Sequence, residues 1–394
     1  MQHEVVIVGM ARTPIGEFFG KLSALSAAEL GAIAARESLK RAGVAPEQVE
    51  DVVAGMVYKA GAKGNPARQI QLAVGIPVEA GATTVDQQCA SGMRALEIAC
   101  HQIQLGRIKT ALVCGMESMS NVPYLAVKSR KGLRMGDGKL ADGLLYDALI
   151  DVFSGGHMGL TAETLAEEHD ISRQAQDELA LLSYERACLA IEKGRFQDEI
   201  VPVELKTRKG VEVVDTDERP HRTSLEALGK LPPAFKSDGT VTAGNASGIN
   251  DGACAMVVMS LAEANRLGVK SLAKIRSTAT FGVDPRIMGI GPVYAIPKAI
   301  AAADLKSSDI GYYEINEAFA AQLLTCTKVL GLDMEQVNAN GSGIALGHPV
   351  GCTGLRLVMA ACNEAKRRDE RYACASLCAG GGPAMAVVVE CLDG

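Results

Sequence analysis

The sequence predicts an α/β fold in which parallel sheets are covered by helices and one α/β unit occurs twice. Short runs rich in Val and Ala alternate with helical stretches along most of the chain, which is typical of such sheets. A turn, a helix and a strand recur in the same order in the two halves. The chain has 394 residues, which is too long for one compact core, so we expect two or more packed units.

The chain opens with a strand and then a helix. Residues 5–8 form a run of Val and Ile that predicts a strand, and a loop follows it. A helical stretch covers residues 26–41 and ends at Gly43, because glycine readily adopts the positive φ that closes a helix. This pair is the first instance of the alternation.

Two cysteine-containing turns mark the repeated unit. Residues 88–92 open a helix with apolar residues on one face, and a strand follows at residues 110–115. Residues 351–354 open a second such helix, which leads to a strand at residues 374–378. The repetition predicts a duplicated unit with an active site between its two copies.

The segment at residues 121–248 differs from the rest of the chain. It carries more charge, a Gly-Asp-Gly loop and a clear helix at residues 172–193, with Ser172 as its N-cap and Gly194 as its terminator. We interpret this segment as an insertion. The predicted organisation is an N-terminal half at residues 1–120 and 249–270, a loop domain at residues 121–248, and a C-terminal half at residues 271–394.

Charge and cysteine content exclude several classes of function. A net charge of −6 and a pI near 5.7 leave no basic stripe for nucleic acid. The eleven cysteines are odd in number, irregularly spaced and without a CxxC pair, so neither a metal site nor a disulfide framework is expected. No apolar run approaches the ~20 residues of a membrane span. We therefore expect a soluble, cytoplasmic protein with no nucleic-acid or membrane partner.

Cys89 is the candidate nucleophile. It lies just before a predicted helix, whose N-terminal N–H groups and partial positive charge stabilise a thiolate. A thiol of lowered pKa is a nucleophile at neutral pH. A free cysteine is more often a small buried hydrophobic residue, so Cys89 alone decides nothing.

His348 is the candidate base. It ends a glycine-rich loop at residues 340–348, and Pro349 disfavours helix at His348 while being able to begin one itself. The imidazole is thus displayed at a helix N-terminus, which favours its neutral form and suits it to take a proton from a thiol. A turn histidine with only local hydrogen bonds is an equally good explanation of this motif by itself.

Two more positions complete the candidate site. Cys378 ends an apolar strand and runs into glycines beginning at Gly380, whose backbone N–H groups can reach a ligand oxygen. Asn316, beside Glu317, can hold a water or donate to an oxyanion. A core thiol and a helix cap are the ordinary explanations of these two sites.

In combination, these motifs resemble those of the thiolase family, and the similarity covers essentially the whole chain. The family's order and spacing are matched by Cys-Ala-Ser-Gly at residues 89–92, Asn-Glu-Ala-Phe at residues 316–319, Gly-His-Pro at residues 347–349 and Cys-Ala-Gly-Gly-Gly at residues 378–382. The stretch at residues 241–253 is also characteristic of the family. The loop containing His157 and Met158 resembles that of the short-chain members, which act on acetyl-CoA.

The resemblance implies a five-layered α-β-α-β-α fold from two similar halves, plus the inserted loop domain. It implies that Cys89 carries the acyl group, that His348 takes the thiol proton and that Cys378 acts as base on the α-carbon. Asn316, through a water, and His348 would stabilise an enolate oxygen, and the N–H groups of Cys89 and Gly380 an acyl-enzyme oxygen. The implied activity is reversible condensation of two acetyl-CoA to acetoacetyl-CoA and coenzyme A, or thiolysis of 3-ketoacyl-CoA, with coenzyme A as substrate and no other cofactor.

Further positions match the family's coenzyme A pocket, although core packing is the alternative explanation for the apolar ones. They are Leu149, His157, Met158, Arg222, Phe235, Ala243, Ala246, Ser247, Ala318 and Phe319. The register of the arginine within residues 219–222 is open. Gly155 and Gly156 stand where bulkier residues are common, and smaller walls there would admit a larger acyl group.

Several alternatives stay open. The chain could be a broader-chain 3-ketoacyl-CoA thiolase, a decarboxylating ketoacyl synthase or a non-catalytic acyl-CoA-binding relative, and Cys89 could form a reversible disulfide with Cys378.

Pro383 follows the last glycines and removes one backbone donor there. The family also implies a homodimer or a homotetramer, with the loop at residues 128–134 as a tetramer contact.

Overall fold

The computed structural model describes residues 3–133, 135–208 and 210–392. The strands are β1 (Val5–Arg12), β2 (Gly16–Glu17), β3 (Asp51–Gly55), β4 (Gly81–Val85), β5 (Thr110–Ser118), β6 (Tyr124–Leu125), β7 (Ala141–Asp142), β8 (Val203–Thr207), β9 (Gly210–Val214), β10 (Asn250–Ser260), β11 (Ala273–Gly282), β12 (Tyr312–Ile315), β13 (Tyr372–Cys378) and β14 (Pro383–Cys391).

The α-helices follow the same chain order. They are α1 (Ala27–Ala42), α2 (Pro66–Ala73), α3 (Ser91–Gln104), α4 (Met158–Glu168), α5 (Arg173–Glu192), α6 (Leu225–Gly229), α7 (Leu261–Leu267), α8 (Pro292–Ala302), α9 (Ala320–Leu330), α10 (Gly343–Leu346) and α11 (Val350–Arg367).

Two helices confirm the boundaries predicted from their caps. The Ser26 side chain accepts a hydrogen bond from the Glu29 N–H at the start of α1, and Gly43 ends the helix with φ +64°. At α5 the Ser172 side chain accepts from the Ala175 N–H, and Gly194 beyond the end has φ +66°. Cap residues act on neighbouring backbone groups, so a local sequence is sufficient to place these helix ends.

Ten strands form one mixed sheet, and β6–β7 and β8–β9 form two separate two-stranded sheets, so the prediction of parallel sheets was only partly right. The strand order is β12-β13-β14-β11-β1-β10-β5-β3-β4, and β2 pairs with β10. Strand β3 lies parallel to β4 and β5, and β12 lies parallel to β13. Strands β10 and β14 run antiparallel to their neighbours. Strand β14 follows β13 after only residues 379–382, a connection that is too short for the crossover that parallel strands need.

Two similar halves meet in the middle of this sheet. The spatial order of strands is β4-β3-β5-β10-β1 in the N-terminal half and β12-β13-β14-β11 in the C-terminal half. In the C-terminal half the position that corresponds to β4 is taken by Val337, which forms a parallel bridge to Tyr313 of β12. With this bridge included, the strands of the two halves are connected in the same order. The halves join through three residue pairs between β1 and β11. The repeat inferred from the two cysteine turns therefore corresponds to a repeated arrangement of strands.

Three apolar clusters fill the space between the layers of helices and strands. One lies between the two half-sheets and contains α3 and α11. A second packs α1 and α2 on the outer face of the N-terminal half, and a third packs α8 and α9 on the outer face of the C-terminal half. The sequence of layers is α-β-α-β-α, as predicted.

The segment between β5 and β10 has no counterpart of similar length in the other half. The equivalent strands β13 and β14 are joined by residues 379–382 alone. The long segment contains β6 to β9 and α4 to α6, and Arg12 of β1 binds its Glu199 and Asp217. This comparison supports an insertion, while the boundaries at residues 121 and 248 stay a prediction.

None of the helices in the described part of the chain is long and apolar enough to cross a membrane. Within the same residues, no three His, Cys, Asp or Glu side chains are grouped as a metal ion would require. The eleven cysteines are all free.

Candidate active site

Helices α3 and α11 meet at their N-termini, which brings the two candidate catalytic turns together. A Cβ on Gly92 would lie 2.9 Å from the Gly351 oxygen, and one on Gly354 would lie 2.7 Å from the Met93 nitrogen. Such distances permit only glycine, because a side chain would force the helices apart. Cys89 precedes α3 and His348 precedes α11, so this contact places both residues at one side of the middle layer.

Cys89 lies at the floor of a pocket and is partly exposed to it. The preceding residue, Gln88, has φ +50°, so the chain turns sharply immediately before the thiol. Burial raises the pKa of Cys89 to about 11, although the backbone N–H groups of Gly380 and of Cys89 itself point at the sulfur and act in the opposite direction. The resting group is therefore a thiol with two donors already beside it.

His348 is buried and held from several sides. Its N–H donates to Asn250 Oδ1 at 2.9 Å, its Nδ1 lies 2.6 Å from Thr353 Oγ1, and its Nε2 lies 3.4 Å from Asn316 Nδ2. Burial lowers the pKa of His348 to about 3, with a further contribution from the nearby charge of Arg356. The imidazole is neutral at physiological pH and can accept a proton.

Asn316 follows directly after β12, and its N–H donates to the Ser376 oxygen at 3.0 Å. Its Oδ1 is buried and has no hydrogen-bond partner among the described residues. The next residue, Glu317, accepts bonds from Ser183 Oγ at 2.6 Å and from Asn338 Nδ2 at 3.0 Å, which fix the loop. A buried polar atom without a partner is uncommon and fits a position that holds a water or a ligand group.

Cys378 ends β13 and packs in an apolar cluster with Ala318, Phe319 and Met158. Burial raises its pKa well above the usual value, and the proximity of Cys89 raises it further. The turn after Cys378 is tight: Gly381 and Gly382 have φ of +83° and +102°. Pro383 begins β14, and its oxygen accepts the Ala379 N–H at 2.8 Å.

A cavity of about 350 Å³ opens onto Cys89 and His348. Of the positions predicted for coenzyme A, it is lined by Leu149, His157, Met158, Phe235, Ala243, Ala246, Ser247, Ala318 and Phe319, and Gly380 joins them. The His157 and Phe235 rings stack at 4.5 Å, and Phe235 meets Phe319 edge-on at 6.0 Å. This wall is mostly apolar, and the thiol of Cys89 and the imidazole of His348 also line the cavity.

Two sequence models of known domains match nearly the whole chain. The thiolase N-terminal domain matches residues 5–262 and the thiolase C-terminal domain matches residues 269–391. The chain belongs to the thiolase family. It is an α/β acyltransferase of that family, with the family's fold.

Relatives of this thiolase are similar over its full length. An acetyl-CoA acetyltransferase of Cupriavidus necator is 46% identical over 98% of this chain and 99% of its own. One of Syntrophomonas wolfei is 46% identical over 100% of both chains, and the solved acetyl-CoA acetyltransferase structure from that organism superposes with a TM-score of 0.97 at 48% identity over 100% of both chains. Human mitochondrial 3-ketoacyl-CoA thiolase superposes with a TM-score of 0.96 at 41% identity over 99% of both chains.

The thiolase pocket does not include every predicted residue. Cys378 and Asn316 lie behind its surface, next to Cys89 and His348 respectively. Arg222 lies apart from the lining, with its side chain 84% exposed and paired to Glu192. The arginine of that stretch that does line the cavity is Arg219, because its guanidinium turns inward to donate to the Ile344 and Ala246 oxygens.

Other residues around the thiolase site were missed in the sequence. Asn250 anchors the His348 backbone, Thr353 contacts its ring, and Gln88, Met119 and Met288 line the cavity. Asn250 belongs to the characteristic stretch at residues 241–253, which was a usable signal. The others carry no local signal, because their importance arises only from contacts made across the fold.

Glu117 is a further buried group that sequence patterns did not indicate. It lies in β5, and its carboxylate accepts the N–H groups of Val57, Tyr58 and Gly351 at 2.9 to 3.1 Å. Burial raises its pKa to about 7, against the three donors. The carboxylate therefore ties the loop after β3 to the start of α11, just behind His348.

Proposed function

We propose that this chain catalyses the reversible condensation of two acetyl-CoA to acetoacetyl-CoA and coenzyme A, and in reverse the thiolysis of 3-ketoacyl-CoA. The observation that carries the proposal is the convergence of Cys89, His348, Asn316, Cys378 and Gly380 at one end of an apolar cavity. The relatives named acetyl-CoA acetyltransferase, at 46% identity over the whole chain, support the same substrate.

In the first step Cys89 becomes acetylated. His348 Nε2 takes the thiol proton as the sulfur attacks the thioester carbon, and the oxyanion receives hydrogen bonds from the N–H groups of Cys89 and Gly380. The carbon–sulfur bond to coenzyme A then breaks, and the leaving thiolate takes the proton of Cys378. Acetyl-Cys89, an imidazolium and a Cys378 thiolate remain.

In the second step the carbon–carbon bond forms. The Cys378 thiolate takes an α-proton from a second acetyl-CoA, and the enolate oxygen is stabilised by the His348 Nε2–H and by a water on Asn316. The enolate carbon attacks the acetyl carbonyl, and the bond to Cys89 breaks. The Cys89 sulfur recovers its proton from His348, so every group returns to its starting state.

The apolar wall suits the pantetheine arm of coenzyme A, because most of a ligand's surface is buried against apolar side chains in such pockets. Ser247 supplies a polar atom there, and Arg219 a cation at the rim. Arg222, on the surface, would reach only the adenosine end of the ligand. These assignments of coenzyme A positions are part of the proposal.

The deciding experiment is a thiolysis assay over 3-ketoacyl-CoA substrates of increasing chain length, with Cys89→Ala as the control. We expect the shortest substrate to have the highest kcat/KM, and acetyl-CoA to add the mass of one acetyl group to the wild-type chain and none to Cys89→Ala. Full activity in Cys89→Ala would overturn the mechanism. Coenzyme A binding without any acetylation would indicate a non-catalytic relative.

A broader-chain thiolase is the second candidate, because human mitochondrial 3-ketoacyl-CoA thiolase shares 41% identity with this chain. The two glycines that suggested a wider pocket, Gly155 and Gly156, do not line the cavity. A kcat/KM that rises with chain length in the same series would favour this candidate.

We further propose that no metal or dissociable cofactor takes part and that coenzyme A enters only as substrate or product. In the two steps the protons are carried by Cys89, His348 and Cys378, and the negative oxygens are stabilised by backbone N–H groups, His348 and a water on Asn316. Dialysis of the purified protein against a chelator should therefore leave kcat and KM unchanged. A loss of activity that a divalent cation restores would contradict this.

We also propose a cytoplasmic homodimer or homotetramer. Support comes from the free cysteines and from exposed apolar side chains between β5 and α4, where Tyr124 and Leu133 are about two-thirds exposed and Met135 is 97% exposed. Of the predicted tetramer loop at residues 128–134, Arg134 lies outside the described residues. Light scattering on the wild type and on Met135→Glu, together with cell fractionation, tests both points.

A further inference from the structure

Thr353 lies in the first turn of α11, and its hydroxyl contacts the ring of His348. Its Oγ1 is 2.6 Å from His348 Nδ1 and 3.0 Å from the Pro349 oxygen, four residues back along the chain. Thr353 is 1% exposed and His348 is 5% exposed. Water therefore does not compete for either contact.

The Thr353 hydroxyl has one proton, so it can donate to only one of these two partners. A threonine in a helix commonly donates its single hydroxyl proton to the carbonyl four residues back, and that carbonyl is here the Pro349 oxygen. With its proton in that bond, the hydroxyl accepts at its other contact, and His348 Nδ1 carries a hydrogen.

The contact on the opposite side of the ring is consistent with this direction. A neutral imidazole has one N–H, and burial beside Arg356 keeps His348 neutral by lowering its pKa. With the hydrogen on Nδ1, Nε2 keeps its lone pair. The group 3.4 Å from Nε2 is the Nδ2 of Asn316, which can only donate.

We propose that Thr353 is a positioning residue that sets the tautomer of His348, so that the Nε2 lone pair faces Cys89 in the resting enzyme. This inference rests on the proposed role of His348 as the base. When Nε2 takes the Cys89 proton, Nδ1–H still donates to Thr353, so the ring charges and discharges without rotating. In the other tautomer Nε2 would carry the hydrogen and could not accept one.

Two variants separate the hydroxyl from the volume of the side chain. Thr353→Val replaces the hydroxyl by a methyl group of similar size, and Thr353→Ser keeps the hydroxyl. A matched control is Thr325→Val in α9, because Thr325 is also fully buried and its Oγ1 donates to the Ala321 oxygen four residues back, with no histidine beside it.

We expect Thr353→Val to lower kcat by ~10²-fold or more, within the usual range for general acid–base catalysis, at nearly unchanged KM. Thr353→Ser should stay within about threefold of the wild type. Thr325→Val should lower thermal stability but not kcat, because it removes a hydroxyl-to-carbonyl bond of the same kind in a helix away from the site. Wild-type kcat in Thr353→Val would overturn the proposal.

A spectroscopic measurement reads the tautomer directly. In nitrogen-15 histidine spectra of the wild type, the His348 signals, identified by their absence in His348→Asn, should show hydrogen on Nδ1 and a bare Nε2. Thr353→Ser should give the same pattern, and Thr353→Val a mixture or the reverse. Hydrogen on Nε2 in the wild type would contradict the inference, even if Thr353→Val does not fold. Activity in Cys89→Ala would instead refute the proposed function, so the two failures are distinguishable.

Discussion

Burial moves the pKa values of the two central residues in opposite directions. It raises that of the Cys89 thiol to about 11 and lowers that of the His348 imidazole to about 3, so the resting pair is neutral on both sides. In the proposed mechanism, proton transfer therefore accompanies attack on the thioester, while the N–H groups of Cys89 and Gly380 stabilise the developing charge. Chemistry starts from uncharged partners and not from a preformed thiolate.

The pH dependence of acetylation follows from the lowered pKa. An imidazole with a pKa near 3 stays unprotonated, and so competent as a base, as the pH falls from about 8 to about 5, whereas one at the ordinary value of about 6.5 would be mostly protonated at the end of that range. We expect the single-turnover acetylation of Cys89 to show no acid limb near pH 6.5. An apparent midpoint at that pH, with circular dichroism unchanged, would contradict a buried neutral base.

At the scale of elements, the loop between α10 and α11 sets where His348 stands. Gly347 has φ +105°, and a Cβ there would lie 2.6 Å from Asn250 Cγ. Asn250 begins β10, and its side chain accepts the His348 N–H while donating to the Gly16 oxygen. The loop thus lies directly against a strand of the other half, with no room for a side chain between them.

Gly347→Ala is expected to damage catalysis more than stability. At the φ of +105° and ψ of 166° of Gly347, a non-glycine residue costs on the order of 1–3 kcal/mol, and here it also pushes Asn250 away from His348. The control is Gly268→Ala at the end of α7, with φ +68° and nothing within 4 Å of its Cβ position. We expect both variants to unfold at lower denaturant, and only Gly347→Ala to lose ~10-fold or more in kcat. Equal kcat in the two variants would contradict this role of the loop.

At the scale of the whole molecule, a buried ion cluster joins the N-terminal half to the inserted segment. Arg12, at the end of β1, is 1% exposed and donates to Glu199 at 3.0 Å and to Asp217 at 2.7 and 2.9 Å. Asp217 also accepts the Ile15 N–H at 2.8 Å. The Arg12 guanidinium is therefore a buried link between the central sheet and the segment that carries much of the pocket wall.

Removing the Arg12 cation should lower the free energy of unfolding strongly. Arg12→Met leaves two carboxylates buried without their cation, which typically costs about 3–5 kcal/mol. The control is Lys230→Met, whose pair with Glu226 is exposed to solvent on both sides. Urea unfolding should show a large drop in midpoint for the first variant and almost none for the second. A small change in Arg12→Met would mean that the segment is held mainly by apolar packing.

Much of the fold could be predicted because its signals are local. The caps Ser26 and Ser172 and the terminators Gly43 and Gly194 gave two helices within a residue or two of their observed ends. The direction in which neighbouring strands pair was harder to predict, since the apolar pattern of β10 or β14 is the same whichever way the strand runs. Pairing direction depends on how the connections pass over the sheet, which is a property of the complete chain.

The candidate site, like the fold, could be predicted in its local features but not in its long-range contacts. The sequence by itself determined which groups can do the chemistry: a thiol before a helix at Cys89, an imidazole displayed by Pro349 at His348, and glycines after Cys378. Only the tertiary structure decided how they are set: Arg219 reaches the cavity, Thr353 contacts the ring of His348, and Asn250 accepts the His348 backbone N–H. The physical reason is that reactivity begins with local chemistry, whereas burial, hydrogen-bond direction and distance arise between residues far apart in the chain.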